Sequence, residues 1–331
     1  MSIPLSVLDL FPVSSSTTPS AVIRQAGSFA RAVEALGYAR YWVAEHHNMP
    51  SIATSAPEVL IAHVAAVTQR IQVGAGGIML PNHTPLRVIE IFRTLEALHP
   101  GRIDLGVGRA PGTDPVTSRA LRRDASENVN EQLAQLLAFE RGTFPPGHPF
   151  HSIKPMPSDV RLPAMWMLGS TLAGATLAAS LGLRYAFAGH FAMTHARAAL
   201  RHYKRHFQPS AELSRPRCIL AVNVVCGEDV EHAHRLAAPL RLAVVRLATG
   251  QQQPIASVEE ALAHELTPQE TAIANAFMEG AVIGGPREVR AALLQLASET
   301  EVDELMLATL LPGSERLLSF ERVAQVLQLS G

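Results

Sequence analysis

The chain has 331 residues, 47% of them hydrophobic and 17% charged, with a formal net charge of −1. That length supports one large buried core or two smaller ones. The near-neutral charge offers no basic face for nucleic acid or an anionic membrane, and no apolar run approaches the about 20 residues that a spanning helix needs.

The N-terminal string MSIPLSVLDLFP lacks a basic segment and carries Asp9. It predicts a first strand over about residues 3–10 rather than a signal peptide. Thr18-Pro19 opens a helix, in which Val22, Ala26, Phe29, Val33 and Leu36 recur at helical spacing and Gly37 is the stop. A second strand over 40–44 ends abruptly at Glu45-His46-His47. Ser55-Ala56-Pro57-Glu58 predicts a capping box for a second helix ending near Thr68. A third strand covers 71–75, a third helix runs from Thr84-Pro85 to Pro100-Gly101, and a fourth strand covers 103–107.

A longer connection follows, with a helix over 128–139 and a Pro/Gly-rich surface excursion over 142–157. A fifth strand (164–168), a helix rich in small residues (172–181), a sixth strand (184–188) and a helix (195–206) come next. The seventh strand, 217–226, carries the only two cysteines, Cys218 and Cys226. Eight positions apart on one strand, they lie roughly 26 Å apart at ~3.3 Å per residue and cannot bridge each other. Free thiols without an export signal predict the cytoplasm. A helix to about Leu247, a polar segment over 250–268 that reads as a mobile lid, and a helix over 270–279 precede Gly284-Gly285-Pro286, which opens another helix. The eighth strand covers 304–309, and a helix over 314–327 closes the chain.

Eight strands, each followed by helical sequence, predict a parallel sheet and, by their number, a single-domain (β/α)8 TIM barrel over 1–331. The excess over a minimal barrel sits after strands four and seven. A doubly wound open sheet is the alternative, but Gly106-Val107-Gly108 and Gly112 make a poor dinucleotide fingerprint, with the third glycine late and Pro111 before it.

In such barrels the strand C-terminal ends carry the chemistry. Those ends read Glu45-His46-His47, Gly76-Gly77, Gly108-Arg109, Gly169-Ser170 and Gly189-His190. Glycine lets backbone approach a ligand, arginine and serine at a helix N-terminus suit a phosphate, and histidine moves protons near neutral pH. The rim therefore predicts a phosphorylated cofactor together with proton chemistry. A metal centre is the competing reading of the histidines. His46 and His47 would point to opposite sides of an extended chain. His232 and His234 lie two apart on a helix and do not share a face. His202 and His206 have ligand spacing but sit beside Lys204 and Arg205, as on a solvated face. No metal is expected. Met165-Trp166-Met167 reads as barrel core.

Several strings coincide with one family. WVAEHHN at 42–48, VGAGGIMLPNHTPLRVIE at 73–90, PGRIDLGVGRAPGTDP at 100–115, MLGSTLAGATLAASLGL at 167–183 and VDELMLATL at 302–310 resemble the bacterial luciferase-like flavin monooxygenases. The resemblance spans essentially the whole chain. It implies reduced FMN bound at the rim, oxygen addition at the flavin C4a position, and oxidation of a small organic substrate by the resulting peroxide. It further implies that His46 is the acid/base residue and that Gly76-Gly77 lies against the flavin ring, often through a non-proline cis peptide. Arg109, Arg119 and Ser170 would hold the phosphate, with backbone near Thr171 assisting. Gly108 and Gly169 stand where the light-emitting subunits carry cysteine and glutamate. A deazaflavin (F420) branch shares the fold and is the lesser cofactor alternative.

The residues and the resemblance together give a two-component monooxygenase supplied by a separate flavin reductase. A non-catalytic flavin-binding barrel and a metal-dependent barrel hydrolase are the competing classes. A homodimer is expected from the family and from apolar residues on more than one face of the second and third helices (Leu60, Ile61, Val64, Val67; Val88, Ile89, Phe92, Leu95).

Overall fold

A computed structural model describes residues 3–121 and 128–329. Among these residues nine strands are parallel throughout: β1 (Leu5–Asp9), β2 (Arg40–Val43), β3 (Gln72–Met79), β4 (Ile103–Gly108), β5 (Ala164–Gly169), β6 (Arg184–Phe187), β7 (Cys218–Cys226), β8 (Val282–Gly284) and β9 (Glu304–Ala308). Eight of them close a ring, because β6 pairs with β7, β7 with β9, and β9 with β1. This is the TIM barrel, and its ring strands are the eight predicted ones. The ninth, β8, has no counterpart among the predicted elements. It pairs only with the last three residues of β7, outside the ring. Three residues are too few to show a periodicity, which is why the sequence concealed it.

Alternation along each strand divides the core. Tyr41 and Val43 of β2, and Met165 and Met167 of β5, face the surrounding helices. Trp42 and Trp166 face inward, with Leu8, Ala186, Ile219 and Met306. The two indoles meet edge to face, ring centroids 5.5 Å apart. One layer nearer the strand N-termini lies a charged knot. Arg40 Nη1 donates to Asp104 at 2.6 Å and its Nε to both Glu304 oxygens at 3.0 Å. Trp42 and Trp166 donate their indole N–H groups to Asp104 at 3.0 and 3.2 Å, and Ser6 donates to Glu304.

The helices follow the sequence with local corrections. Thr18 caps α1 (Pro19–Arg24) as expected, but the chain breaks at Gln25 before α2 (Ala26–Ala35). The predicted capping box at 55–58 does not form: α3 (Pro57–Val67) starts at Ala56 without a side-chain cap. α4 (Pro85–Leu98) and α5 (Pro115–Ala120) follow, then α6 (Val129–Arg141), capped by Asn128. The excursion after α6 is anchored, since Phe144 and Phe150 pack on Phe139 with centroids 4.7 and 5.6 Å away. α7 (Leu172–Ser180), α8 (Gly189–His206) and α9 (Val230–Ala248) complete the middle of the barrel. Two short helices, α10 (Val258–Ala263) and α11 (Pro268–Met278), carry true capping boxes, and α12 (Pro286–Thr300) and α13 (Gly313–Leu327) close the chain.

Of the apolar residues expected to give α3 and α4 a second face, all but half-buried Val67 are buried within the chain's own core. They therefore do not mark a subunit surface. Cys218 and Cys226 are buried free thiols at opposite ends of β7. Among the described residues no helix is long and apolar enough to cross a membrane.

Removing one partner from a buried ion pair leaves the others uncompensated, at a cost of about 3–5 kcal/mol. Arg40→Ala is expected to lower the unfolding free energy by about 3 kcal/mol, read by urea denaturation with an unchanged m-value. A loss within the few tenths typical of a surface site would show that the knot does not support the barrel.

Candidate functional site

Glu45 organises the rim. It follows directly on β2 and is completely buried, and every group around its carboxylate donates. Met79 N–H donates at 2.7 Å, Asn82 Nδ2 at 2.9 Å, His47 Nε2 at 2.9 Å, and His83 Nε2 at 3.0 Å. One carboxylate thus ties the end of β2 to the end of β3 and to the turn that follows. His47 is absorbed by this network.

His46 is left to face the mouth. Its N–H donates to Thr54 O at 2.8 Å, and its ring Nδ1 donates to Gly112 O at 3.4 Å. A carbonyl only accepts, so this contact puts the proton on Nδ1 and the lone pair on Nε2. Burial lowers the His46 pKa below 6.5 against the opposing effects of Gly112 and Glu45, which favours the neutral ring. The β4–α5 loop that touches His46 is itself fixed. Asp114 caps α5 through Val116 and Thr117 N–H at 2.8 and 3.0 Å, and Asn48 donates to it at 3.2 Å.

The same loop begins at Arg109. Its guanidinium lies over the first turn of α7, where a Cβ on Gly174 would come 3.3 Å from Arg109 Nη2. Arg109 Nε is buried without a hydrogen-bond partner among the described residues. Thr171 caps α7 by accepting from Gly174 N–H at 3.3 Å, and half-buried Ser170 precedes it. Tyr185, which no sequence signal singled out, donates to Thr171 O at 3.3 Å and steadies this corner. Burial raises its hydroxyl pKa, while the nearby Arg109 charge opposes the rise. Arg119 lies exposed in the last turn of α5, and among the described residues no hydrogen bond or ion pair joins it to Arg109 or Ser170.

The Gly76–Gly77 peptide is cis. A Cβ on Gly77 would come 2.7 Å from the Gly106 carbonyl, so backbone packing demands glycine there irrespective of any ligand; a Cβ on Gly76 would come 2.7 Å from Leu8 Cδ1, a side-chain end that would have to shift.

A cavity of about 410 Å3 opens beside His46. Its wall is largely apolar, with Leu10, Ile52, Leu240, Val244 and Phe277 among the lining residues. His190 and Asn223 also line it. His190 stood in the strand-end pattern; Asn223, inside an apolar run, gave no signal. The 250–268 segment reaches the mouth through Gln252 and is pinned by Ile255, whose N–H donates to Val13 O at 2.8 Å. Among the described residues no group of three or more His, Cys, Asp or Glu side chains is placed to hold a metal ion.

The chain is similar to known proteins over nearly its whole length. A family model described as a luciferase-like monooxygenase matches residues 3–304. The luciferase-like monooxygenase of Escherichia coli K12 is 37% identical over 328 residues, 98% of this chain and 97% of that protein. The crystal structure of apo-MsnO8 superposes with a TM-score of 0.90 at 36% identity, covering 99% of this chain and 98% of that one. The oxygenating constituent of 3,6-diketocamphane monooxygenase from Pseudomonas putida, solved with FMN, shares the fold at 15% identity, with a TM-score of 0.73 over 98% of this chain and 97% of that one.

The Glu45 network gives a pH signature. Burial works to raise the Glu45 pKa, but donors led by His83 overcome it and hold the carboxyl below 4.5. Burial likewise opposes charge on His83, yet its bond to Glu45 raises it above 6.5. The Glu45 contribution is present above 4.5 and lost as pH falls through its lower folded value; the His83 contribution is present below 6.5 and lost as pH rises through its higher one. The melting-temperature gap between wild type and His83→Gln is therefore expected to be widest between pH 4.5 and 6.5 and to shrink in alkali. A gap independent of pH would show that the ion pair contributes nothing to stability.

Proposed function

The chain belongs to the luciferase-like monooxygenase family, and from that premise we propose that it is an FMN-dependent, two-component monooxygenase acting on a small organic substrate. One observation carries the cofactor reading. Arg109 sets a positive charge against the positive end of α7, with a buried Nε unpaired. Like signs at such short range are unfavourable unless an anion sits between them. A phosphate monoester fits: two guanidinium N–H groups, the α7 first-turn amides and the Ser170 hydroxyl all donate, and none of them competes as an acceptor-only partner. Reduced FMN, bound by this phosphate, would supply the electrons and the ring at which oxygen is activated.

The chain's own residues supply the rest. Gly76 and Gly77 present a wall free of side chains. His46, with its proton on Nδ1, offers Nε2 to take a proton at the mouth and return it. The apolar wall keeps water from the reacting centre. Neither Gly106 nor Gly108 forms a nicotinamide turn, since both lie within β4, where a Cβ on Gly108 would strike Met79 at 2.7 Å. On this reading a separate flavin reductase supplies the reducing equivalents.

Arg109→Ala is expected to weaken FMN binding by about 2–4 kcal/mol, the scale for truncating a buried, hydrogen-bonded charge pair. Fluorescence titration of Arg109→Ala, Arg119→Ala and Ser170→Ala is the check, and unchanged affinity in all three removes the cradle. Titration with F420 in parallel separates the two flavin classes.

His46→Ala is expected to fold and bind FMN yet slow turnover by about 10²–10⁴. As a base, His46 loses function on protonation, so the acid limb of the wild-type profile should fall below pH 6.5 and vanish in the variant. Wild-type rates in His46→Ala under a saturating supply of reduced flavin would refute the role, and efficient NADH oxidation by the chain alone would refute the second component.

A further inference from the structure

One buried titratable group in the cavity has no task in flavin binding or in proton transfer by His46. His190 is 8% exposed and forms part of the same wall as His46. Its Nδ1 is buried and has no hydrogen-bond partner among the described residues. Buried polar atoms are nearly always partnered, and an exception marks either a defect or a use. The surroundings argue for use, because the residue is held from two sides. Its ring packs against Phe191 with centroids 4.1 Å apart, and Asn223 Nδ2 donates to its backbone carbonyl at 3.1 Å. Asn223 sits within β7, where such a side chain interrupts an otherwise apolar run.

The ring is also kept uncharged. Burial first, then the proximity of His46, pushes the His190 pKa down to about 3. When His46 carries a proton, His190 stays neutral, so the two rings never repel across the cavity. Among the described residues no lysine or arginine lines that space, and the carboxylate there, Asp114, is engaged by Thr117, Val116 and Asn48. A charged substrate would find no counter-ion among these residues. A neutral one would find an apolar wall and a neutral imidazole able to make one directed hydrogen bond.

We infer that His190 is the substrate-binding histidine of this cavity: its ring hydrogen-bonds the single polar group of an uncharged, mainly apolar small molecule and turns that molecule toward His46. The inference deepens the monooxygenase reading, on which the word substrate rests, but the binding itself needs neither flavin nor turnover.

The test uses four probes that share one carbocycle: cyclohexanone, cyclohexanol, methylcyclohexane and cyclohexanecarboxylate. Their affinities for the full chain are measured by ligand-observed NMR, without flavin, for wild type, His190→Phe and His190→Gln. His190→Phe should raise the Kd of the ketone and the alcohol by about tenfold, the scale of one hydrogen bond left unmade, and leave methylcyclohexane within about twofold. His190→Gln, which keeps a donor and an acceptor, should recover most of that loss. Cyclohexanecarboxylate should bind more weakly than the ketone to every form. Should either variant fail to fold, the ring 15N shifts of His190 in the wild type decide the matter instead: moved by cyclohexanone, unmoved by methylcyclohexane. Equal losses for ketone and hydrocarbon, no loss at all, tighter binding of the carboxylate, or no binding of either polar probe to wild type would each overturn the proposal. Because these titrations omit flavin, their failure is distinct from a failure to bind FMN.

Discussion

The barrel is organised from its floor. An eight-stranded ring has an interior just wide enough for side chains to fill, and here the lowest layer is charged. Arg40, Asp104 and Glu304 come from three strands of the ring, and no two of these strands are neighbours. Burial raises the Glu304 pKa, against the pull of Arg40 and Ser6. Such a knot is stable only when every member is satisfied. Two indole N–H groups complete it, and that requirement fixes Trp42 and Trp166 as the plug above. Asp104 in turn leaves no space at Gly74, where a Cβ would lie 2.6 Å from its own. Charge pairing, aromatic packing and glycine placement are thus one constraint.

The plug sets the height at which the functional rim begins. Gly76 passes directly over Trp42, and the β2 strand that carries Trp42 leads straight into Glu45. Glu45 does for the rim what Asp104 does for the floor. It gathers donors from β3 and from the turn beyond it, so that His46 is presented by a rigid strand end rather than by a free loop. A reacting group held this way loses little freedom at the moment of reaction.

Two environments of opposite character meet at that rim. The Arg109 corner suits an anion, with a cation, a helix terminus and a hydroxyl converging. The cavity beside His46 suits a neutral body, with an apolar wall and two histidines whose protonation burial disfavours. The β4–α5 loop spans both, with Arg109 at one end and Gly112 against His46.

The sequence by itself determined the ring. Period-two runs, helical spacing and Pro or Gly punctuation are local signals, and they sufficed to place all eight ring strands, the core role of Trp166 and the polar groups at the strand ends. Only the tertiary structure decided what those polar groups meet. Glu45 finds His83 38 positions away, Arg40 finds Glu304 264 positions away, and Arg109 finds the start of α7 beyond two intervening helices. β8 exists because the end of β7 offers it a free edge, not because three residues prefer to be extended. His190 reads in sequence as one more histidine after a strand. Its neutrality and its unpaired nitrogen come from burial, which is a property of everything packed around it, and no local pattern encodes that.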